Sequence, residues 1–288
     1  MSDSHRPGNT HNRALLEQRL NGLCAAFDLR DLDPDPLVIV REFADPRDRE
    51  IAGLYAAVLA FGGVRQIMRS VRALFERMED SPYAFASTFE PSQRAAFTGW
   101  YHRFIRGDDI AALTWSIRRA LDEYGSLETL FAVGYERDHG DIQHALTRFV
   151  GTLKSYDTAP IPPGAFFGHL LSSPVDGSAC KRMNLYLRWM IRSTEPDLGI
   201  WTTIPTSRLV IPLDTHVARI SRNLGLTVRA TPNWRMAREI TDRLAEFDPD
   251  DPVKYDYAIC RLGILERCPR IRSASKCADC GMRDVCVT

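Results

Sequence analysis

Lysine is nearly missing from this 288-residue chain. Of its 37 basic residues only Lys154, Lys181, Lys254 and Lys276 are not arginine. Arginine stays charged and suits bidentate phosphate contact, whereas lysine can become a neutral amine nucleophile. A site that needs an amine therefore has few candidates. Also missing is any apolar run of the ~20 residues a membrane helix requires. The opening residues 1–13 are polar and lack the apolar core of a signal peptide, so a cytoplasmic location is expected. Low-complexity tracts, internal repeats and alternating strand patterns of useful length are absent too, apart from a short apolar run at Leu209 to Ile211. Formal net charge is zero. The balance is uneven, however: residues 1–170 carry 19 basic and 23 acidic residues, and residues 171–288 carry 18 and 14. A mildly basic C-terminal part is compatible with an anionic partner.

What is present is enough for a buried core. The chain is 44% hydrophobic and 26% charged, which argues against disorder, a collagen or a disulfide miniprotein. Its length suits one large domain or two small ones. Periodicity is helical nearly throughout. Ile51, Leu54, Tyr55, Val58 and Leu59 form an amphipathic stripe, with Asp48 as the expected N-cap. Gly62 and Gly63 break that helix, and a second follows through Ile67, Val71, Leu74 and Phe75. Further helices are expected at about 91–104, 109–123, 126–133, 140–155, 165–172, 179–193, 215–224, 233–247 and 254–266, with a break at 158–164. The fold class read from this pattern is all-α.

Seven cysteines occur, and four crowd the last 21 residues: Cys268, Cys277, Cys280 and Cys286. Two cysteines on a C-x2-C turn can share a metal, and four can enclose one centre. Disulfides do not suit a cytosolic chain. Zinc and a [4Fe-4S] cluster both satisfy four thiolates, and spacing leaves that choice open. Cys260, on the helix before the quartet, is the rival for a ligand position.

Two further stretches carry chemistry. Residues Ser173 to Leu185 read as a tight turn opening a helix, with Asp176 and Gly177 in the turn and Ser178 as N-cap. Free N–H groups at such a helix start suit a phosphate. Lys181 then falls near the third helical position. There the positive end of the helix disfavours its protonated form, the direction an amine nucleophile needs. The other reading is a solvated surface lysine. Asp214 follows an apolar run and precedes a helix carried by Val217, Ile220 and Leu224. It is an N-cap candidate, and its carboxylate could also activate a nucleophile in a neighbouring cleft.

Taken in order, these residues resemble the helix-hairpin-helix DNA glycosylase superfamily, which includes endonuclease III, adenine DNA glycosylase and 8-oxoguanine glycosylases. The stretch Pro212 to Arg219 resembles its Val-Asp-Thr-His signature. Asn233 to Glu246 fits the helix that follows, Gly263 to Cys268 the entry to its iron–sulfur loop, and the C-x2-C-x5-C ending its cluster pattern. Residues Ala56 to Gln66 are similar to a helix that approaches DNA. As a whole the chain resembles a little-characterised bacterial branch of the superfamily, with a hairpin reading Ser-Pro-Val-Asp-Gly and Lys181 lying 33 residues before Asp214. An archaeal 8-oxoguanine glycosylase branch has a comparably long gap.

The resemblance implies a two-lobed, all-α helix-hairpin-helix fold with a C-terminal four-cysteine cluster loop. Residues 46–205 would form one lobe. Residues 206–288 would form the other, with residues 1–45 packed on it. The implied activity is base-excision repair: a DNA glycosylase with AP lyase activity that flips a damaged or modified base out of double-stranded DNA. Lys181 would be the nucleophile and Asp214 its activating carboxylate. Gly177, Ser178, Arg182, Arg270, Arg272 and Lys276 would meet DNA. Cys268, Cys277, Cys280 and Cys286 would hold a [4Fe-4S] cluster. The protein is then expected to be a nucleoid-associated monomer with no membrane partner. Two alternatives stand beside this: a non-catalytic DNA-binding or damage-sensing protein that keeps fold and cluster, and a small zinc-containing interaction protein.

Overall fold

The computed structural model describes residues 7–26, 34–265, 268, 269 and 273–287, the side chains of residues 7–12 and 274 excepted. Its α-helices are α1 (Pro7–Ala25), α2 (Leu37–Arg41), α3 (Pro46–Val58), α4 (Val64–Glu76), α5 (Pro82–Ser87), α6 (Gly107–Tyr124), α7 (Leu127–Ala132), α8 (Gln143–Ser155), α9 (Phe167–Leu170), α10 (Lys181–Ile191), α11 (Thr215–Asn223), α12 (Trp234–Ala245), α13 (Tyr255–Ile264) and α14 (Ala274–Ala278). Strand is limited, among the described residues, to a two-stranded antiparallel hairpin. It pairs β1 (Tyr101–His102) with β2 (Ile105–Arg106), Tyr101 opposite Arg106 and His102 opposite Ile105. The protein is thus mostly helical, and no described helix is long and apolar enough to cross a membrane.

Helix α3 is the hub. Every residue from Glu50 to Val58 is buried, and α2, α4, α5 and α10 pack around it. A helix apolar on all sides belongs in a core. The exception, Glu50, is matched by three donors: the N–H groups of Leu127 at 3.2 Å and Glu128 at 2.9 Å, and Trp201 Nε1 at 2.8 Å. It therefore caps α7 from outside, satisfying donors that helix cannot satisfy itself. Burial pushes its carboxyl above the usual range. Gly53 lets α10 approach, since a Cβ there would lie 2.6 Å from the end of Met190.

The C-terminal elements form a second set of contacts. Helix α13 packs against α11 and α1. Helix α1 also reaches the last turn, Arg283–Val285, through Arg19 Nε donating to Asp284 at 3.1 Å. The α11–α13 contact is close because residue 263 is glycine: a Cβ there would lie 2.5 Å from His216 Cβ and 2.6 Å from its Cγ.

Several sequence expectations need correction. Helix α3 starts earlier than expected because Pro46 fixes the first helical φ. Its N-cap is therefore Asp45, which accepts from Arg47 N at 2.8 Å, while Asp48 accepts from Tyr83 N at 2.9 Å. The helix expected over 91–104 is a 3-10 turn at Pro91–Phe97 followed by the hairpin, since Gly99 and Arg103 take positive φ values of 74° and 55°. The run Leu209 to Ile211 is buried but not strand; Ile211 N donates instead to Thr241 Oγ1 at 3.0 Å.

The Gly263 contact yields a first prediction. Gly263→Ala forces α11 and α13 apart, because the clash is with the root of His216 rather than a flexible tip. Overpacking of this kind costs about 1–3 kcal/mol. A urea melt should show that loss, and unchanged stability would contradict the close contact.

Candidate functional site

Lys181 is the first residue of α10. Ser178 does not cap that helix as expected. Its hydroxyl accepts from Cys180 N at 3.0 Å, a local bond that competes with capping, and the cap position falls to Cys180 at φ 49° with no side-chain bond. Lys181 is half-buried, and Nζ donates to Ala60 O at 3.1 Å. Ala60 follows the C-terminal end of α3, where unpaired carbonyls favour a cation. The solvated-surface reading of Lys181 does not hold. Its neighbour Arg182, expected to meet DNA, is only 9% exposed. Arg182 donates to Val58 O at 2.7 Å and to His169 O, and lies 5.2 Å over the Phe61 ring. Burial lowers its pKa to about 10. Arg182 fastens α10 to the end of α3 rather than facing solvent.

Asp214 is the N-cap of α11, with Oδ1 accepting from Val217 N at 2.7 Å. Its other oxygen accepts from Cys260 Sγ at 3.5 Å. Both carboxylate oxygens are thus held by the protein.

Lys181 and Asp214 come from different segments but share one electrostatic neighbourhood. Both act on the carboxyl of Asp256 and the thiol of Cys260, each on α13. Asp256 is 3% exposed. Its burial outweighs the attraction of Arg188, and with Asp214 repelling it the carboxyl is pushed up to about 7. Burial, then Asp214 and Asp256, push the Cys260 thiol well above its usual value, so it stays protonated and donates to Asp214. Asp35, whose side chain accepts from Leu37 N at 2.9 Å, feels Arg188, Lys181 and Arg261 as well.

The group is anchored by a buried ionic network. Arg188 Nε pairs with Asp197 at 3.2 Å, and Arg188 Nη1 pairs with Asp256. Arg192 pairs with Asp197 at 3.0 Å and Asp251 at 2.8 Å. Arg188 lies about two turns beyond Lys181 on α10, and Arg192 is the C-cap of that helix, about one turn further on. They bolt α10 to α13, which packs on the helix that Asp214 caps. Sequence reasoning missed Asp35, Arg188, Asp197 and Asp256, because their partners lie in distant segments.

The remaining expected site residues are spread out. Gly177 is exposed at φ 73° after the Pro174–Asp176 turn, and its N–H is already donated to Pro174 O at 3.0 Å. Lys276 is exposed on α14, a helix capped by Ser273. Arg270 and Arg272 lie outside the described residues. The four C-terminal cysteines are each half-buried. Cys268 Sγ accepts from Arg219 Nη1 at 3.3 Å and Asn223 Nδ2 at 3.8 Å, the kind of donors that stabilise a thiolate. In donor chemistry the quartet fits a four-thiolate centre. Among the described residues, however, no three His, Cys, Asp or Glu side chains stand close enough to hold one ion.

The raised carboxyl of Asp256 sets a pH dependence. Its folded value of about 7 exceeds its unfolded value, so it binds protons more tightly when folded. The stability it contributes is complete below about pH 4 and is lost as pH rises through 7. Asp256→Asn removes this term. In urea melts the variant should gain stability relative to wild type as pH rises, and parallel curves would contradict the assignment.

Comparison with known proteins gives one result. A family described as "Protein of unknown function (DUF2400)" matches residues 35–265, which takes in Lys181, Asp214, Asp256 and Cys260 and stops before Cys268. No curated protein and no solved structure matches. With most of its length matched, the chain belongs to the DUF2400 family.

Proposed function

We propose that this protein is a base-excision DNA glycosylase with AP lyase activity, acting on double-stranded DNA that carries a damaged or modified base. The observation that supports this reading best is the convergence of Lys181 and Asp214 on Asp256 and Cys260. An amine and a carboxylate in one electrostatic neighbourhood are the pair needed to displace a base covalently. In a chain with four lysines, this one has its Nζ held on a backbone carbonyl, Ala60 O.

The roles follow from chemistry. Asp214 takes a proton from the Lys181 ammonium. The freed amine attacks C1′ of the flipped nucleotide, and the base departs with the electrons of the glycosidic bond and a proton. The C1′–nitrogen adduct opens the sugar ring, O4′ gaining a proton, to give a Schiff base. Loss of a 2′ proton then expels the 3′ phosphate by β-elimination. Cys260 keeps Asp214 aimed, and Ala60 O keeps the amine in place. Cys268, Cys277, Cys280 and Cys286 would hold a [4Fe-4S] cluster, with zinc as the alternative; either would fold the C-terminal loop and supply no step of the reaction.

The test is incubation with a panel of damaged-base duplexes under borohydride. Wild type should form a trapped covalent complex, and Lys181→Gln should lose both complex and strand cleavage while still binding DNA. Asp214→Asn should lose excision. Its stability must be measured alongside, since loss of an N-cap costs ~1 kcal/mol. A trapped complex that survives Lys181→Gln would refute the nucleophile. DNA binding with no excision on any duplex would instead favour a damage-sensing protein.

For the cysteine quartet, anaerobic purification should give a brown protein containing both iron and acid-labile sulfide. A colourless protein with about one zinc per chain and no sulfide would contradict the cluster.

A further inference from the structure

Beside Lys181 lies a surface that the proposed chemistry does not use. The residue after Ala60 is Phe61, and its ring starts an aromatic group. Phe104, in the hairpin turn, stacks on Phe61 with ring centres 5.2 Å apart. Phe166 lies 4.8 Å and His169 4.9 Å from Phe104. The group is open to solvent at Phe166, which is 42% exposed. These rings come from three separate segments, two of which one carboxylate ties together. Asp109 is buried, with Oδ2 accepting from Arg106 N at 2.8 Å and Oδ1 from Phe166 N at 3.0 Å. His102 fixes the near edge, its Nε2 lying 3.0 Å from Phe61 O and its Nδ1 3.0 Å from Ser70 Oγ.

The segments that carry Phe61 and Phe104 also carry exposed arginines. Arg65, Arg69, Arg103 and Arg106 are exposed, and none has an ion-pair partner among the described residues. The nearby exposed acid, Asp108, is paired with Arg94 at 2.9 Å. Arg103 is informative for a second reason. It sits at φ 55° at the hairpin tip, a conformation that glycine adopts freely and arginine does not. Its side chain runs over Gly62, where a Cβ would lie 2.9 Å from Arg103 Cδ. An unfavourable backbone that keeps a cation at the rim points to a use for that cation.

We infer that Phe104 and Phe166, backed by Phe61 and rimmed by Arg103, form a stacking platform for an unpaired base of DNA, the arginine holding a flanking phosphate. The exposed Phe166 ring offers a π-face to any base, and the Arg103 guanidinium, with no ion-pair partner among the described residues, matches a polyanion rather than an apolar peptide. This deepens the DNA-repair reading and rests on it for the identity of the nucleic acid. It does not require Lys181 to be a nucleophile.

The test uses the full chain and a single-stranded oligonucleotide carrying 2-aminopurine, with a fully paired duplex of the same sequence beside it. Wild type should quench the probe and bind the single strand more tightly than the duplex. Phe166→Ala should weaken single-strand binding roughly tenfold and relieve the quench. Arg103→Gly should weaken binding and lower its salt dependence while leaving thermal stability unchanged or raised, which separates binding from folding. Unchanged affinity in both variants, absence of quenching, or equal losses on paired duplex would each overturn the platform. Lys181→Gln should quench like wild type. Quenching without any excision would sink the glycosylase reading alone and leave the platform standing.

Discussion

Two arginines and three aspartates, out of water at the junction of α10 and α13, hold the rest of the arrangement in place. Arg188 and Arg192 each bridge two carboxylates, and Asp197 is shared between them. Taking such charges out of water is costly, and removing one partner leaves another charge buried and unpaired, at about 3–5 kcal/mol. A network of this kind is a poor source of stability compared with apolar packing, but it specifies geometry. Here it fixes the distance between the helix that starts with Lys181 and the helix that carries Asp256 and Cys260. The α11–α13 contact through Gly263 extends that constraint to Asp214.

The same constraint explains the electrostatics around the pair. Asp256 is attracted by Arg188 yet carries a raised carboxyl, because its burial and the nearby Asp214 outweigh one arginine. Cys260 stays protonated for the same reasons and can donate to Asp214. Lys181 meets the carbonyl end of α3 rather than bulk water. Asp214, Cys260 and Lys181 are therefore each held by a protein partner before any ligand arrives. Pre-organisation of this sort is what covalent and general acid–base chemistry requires.

Much of the helical layout was legible in the sequence because it depends on local signals. Apolar stripes at helical spacing marked α3, α4, α11 and α12. Asp214 could be read as an N-cap from its place before Val217, and Gly62 with Gly63 as a break from their freedom at positive φ. The errors have local causes as well. Pro46 moved a helix start, and Ser178 bonded two residues on instead of capping. Over 91–104 the apolar spacing suggested helix, but Arg103 turns the chain back at an angle no spacing rule anticipates. Lys181 and Asp214 could be singled out one at a time, as could the cysteine quartet. The groups around them could not. Asp35, Asp197 and Asp256 look like ordinary surface acids in the sequence, and Arg182 looks like a solvent-facing cation. Only long-range packing reveals that Asp197 and Asp256 are buried and paired, and that Arg182 is spent on backbone carbonyls.

The central claim is that Lys181 is the reacting amine. The most direct measurement is to digest the borohydride-reduced protein–DNA adduct and find the modified peptide by mass spectrometry. The account predicts a single modified residue, Lys181, carrying the sugar remnant. Modification at Lys154, Lys254, Lys276 or the N-terminal amine would contradict it.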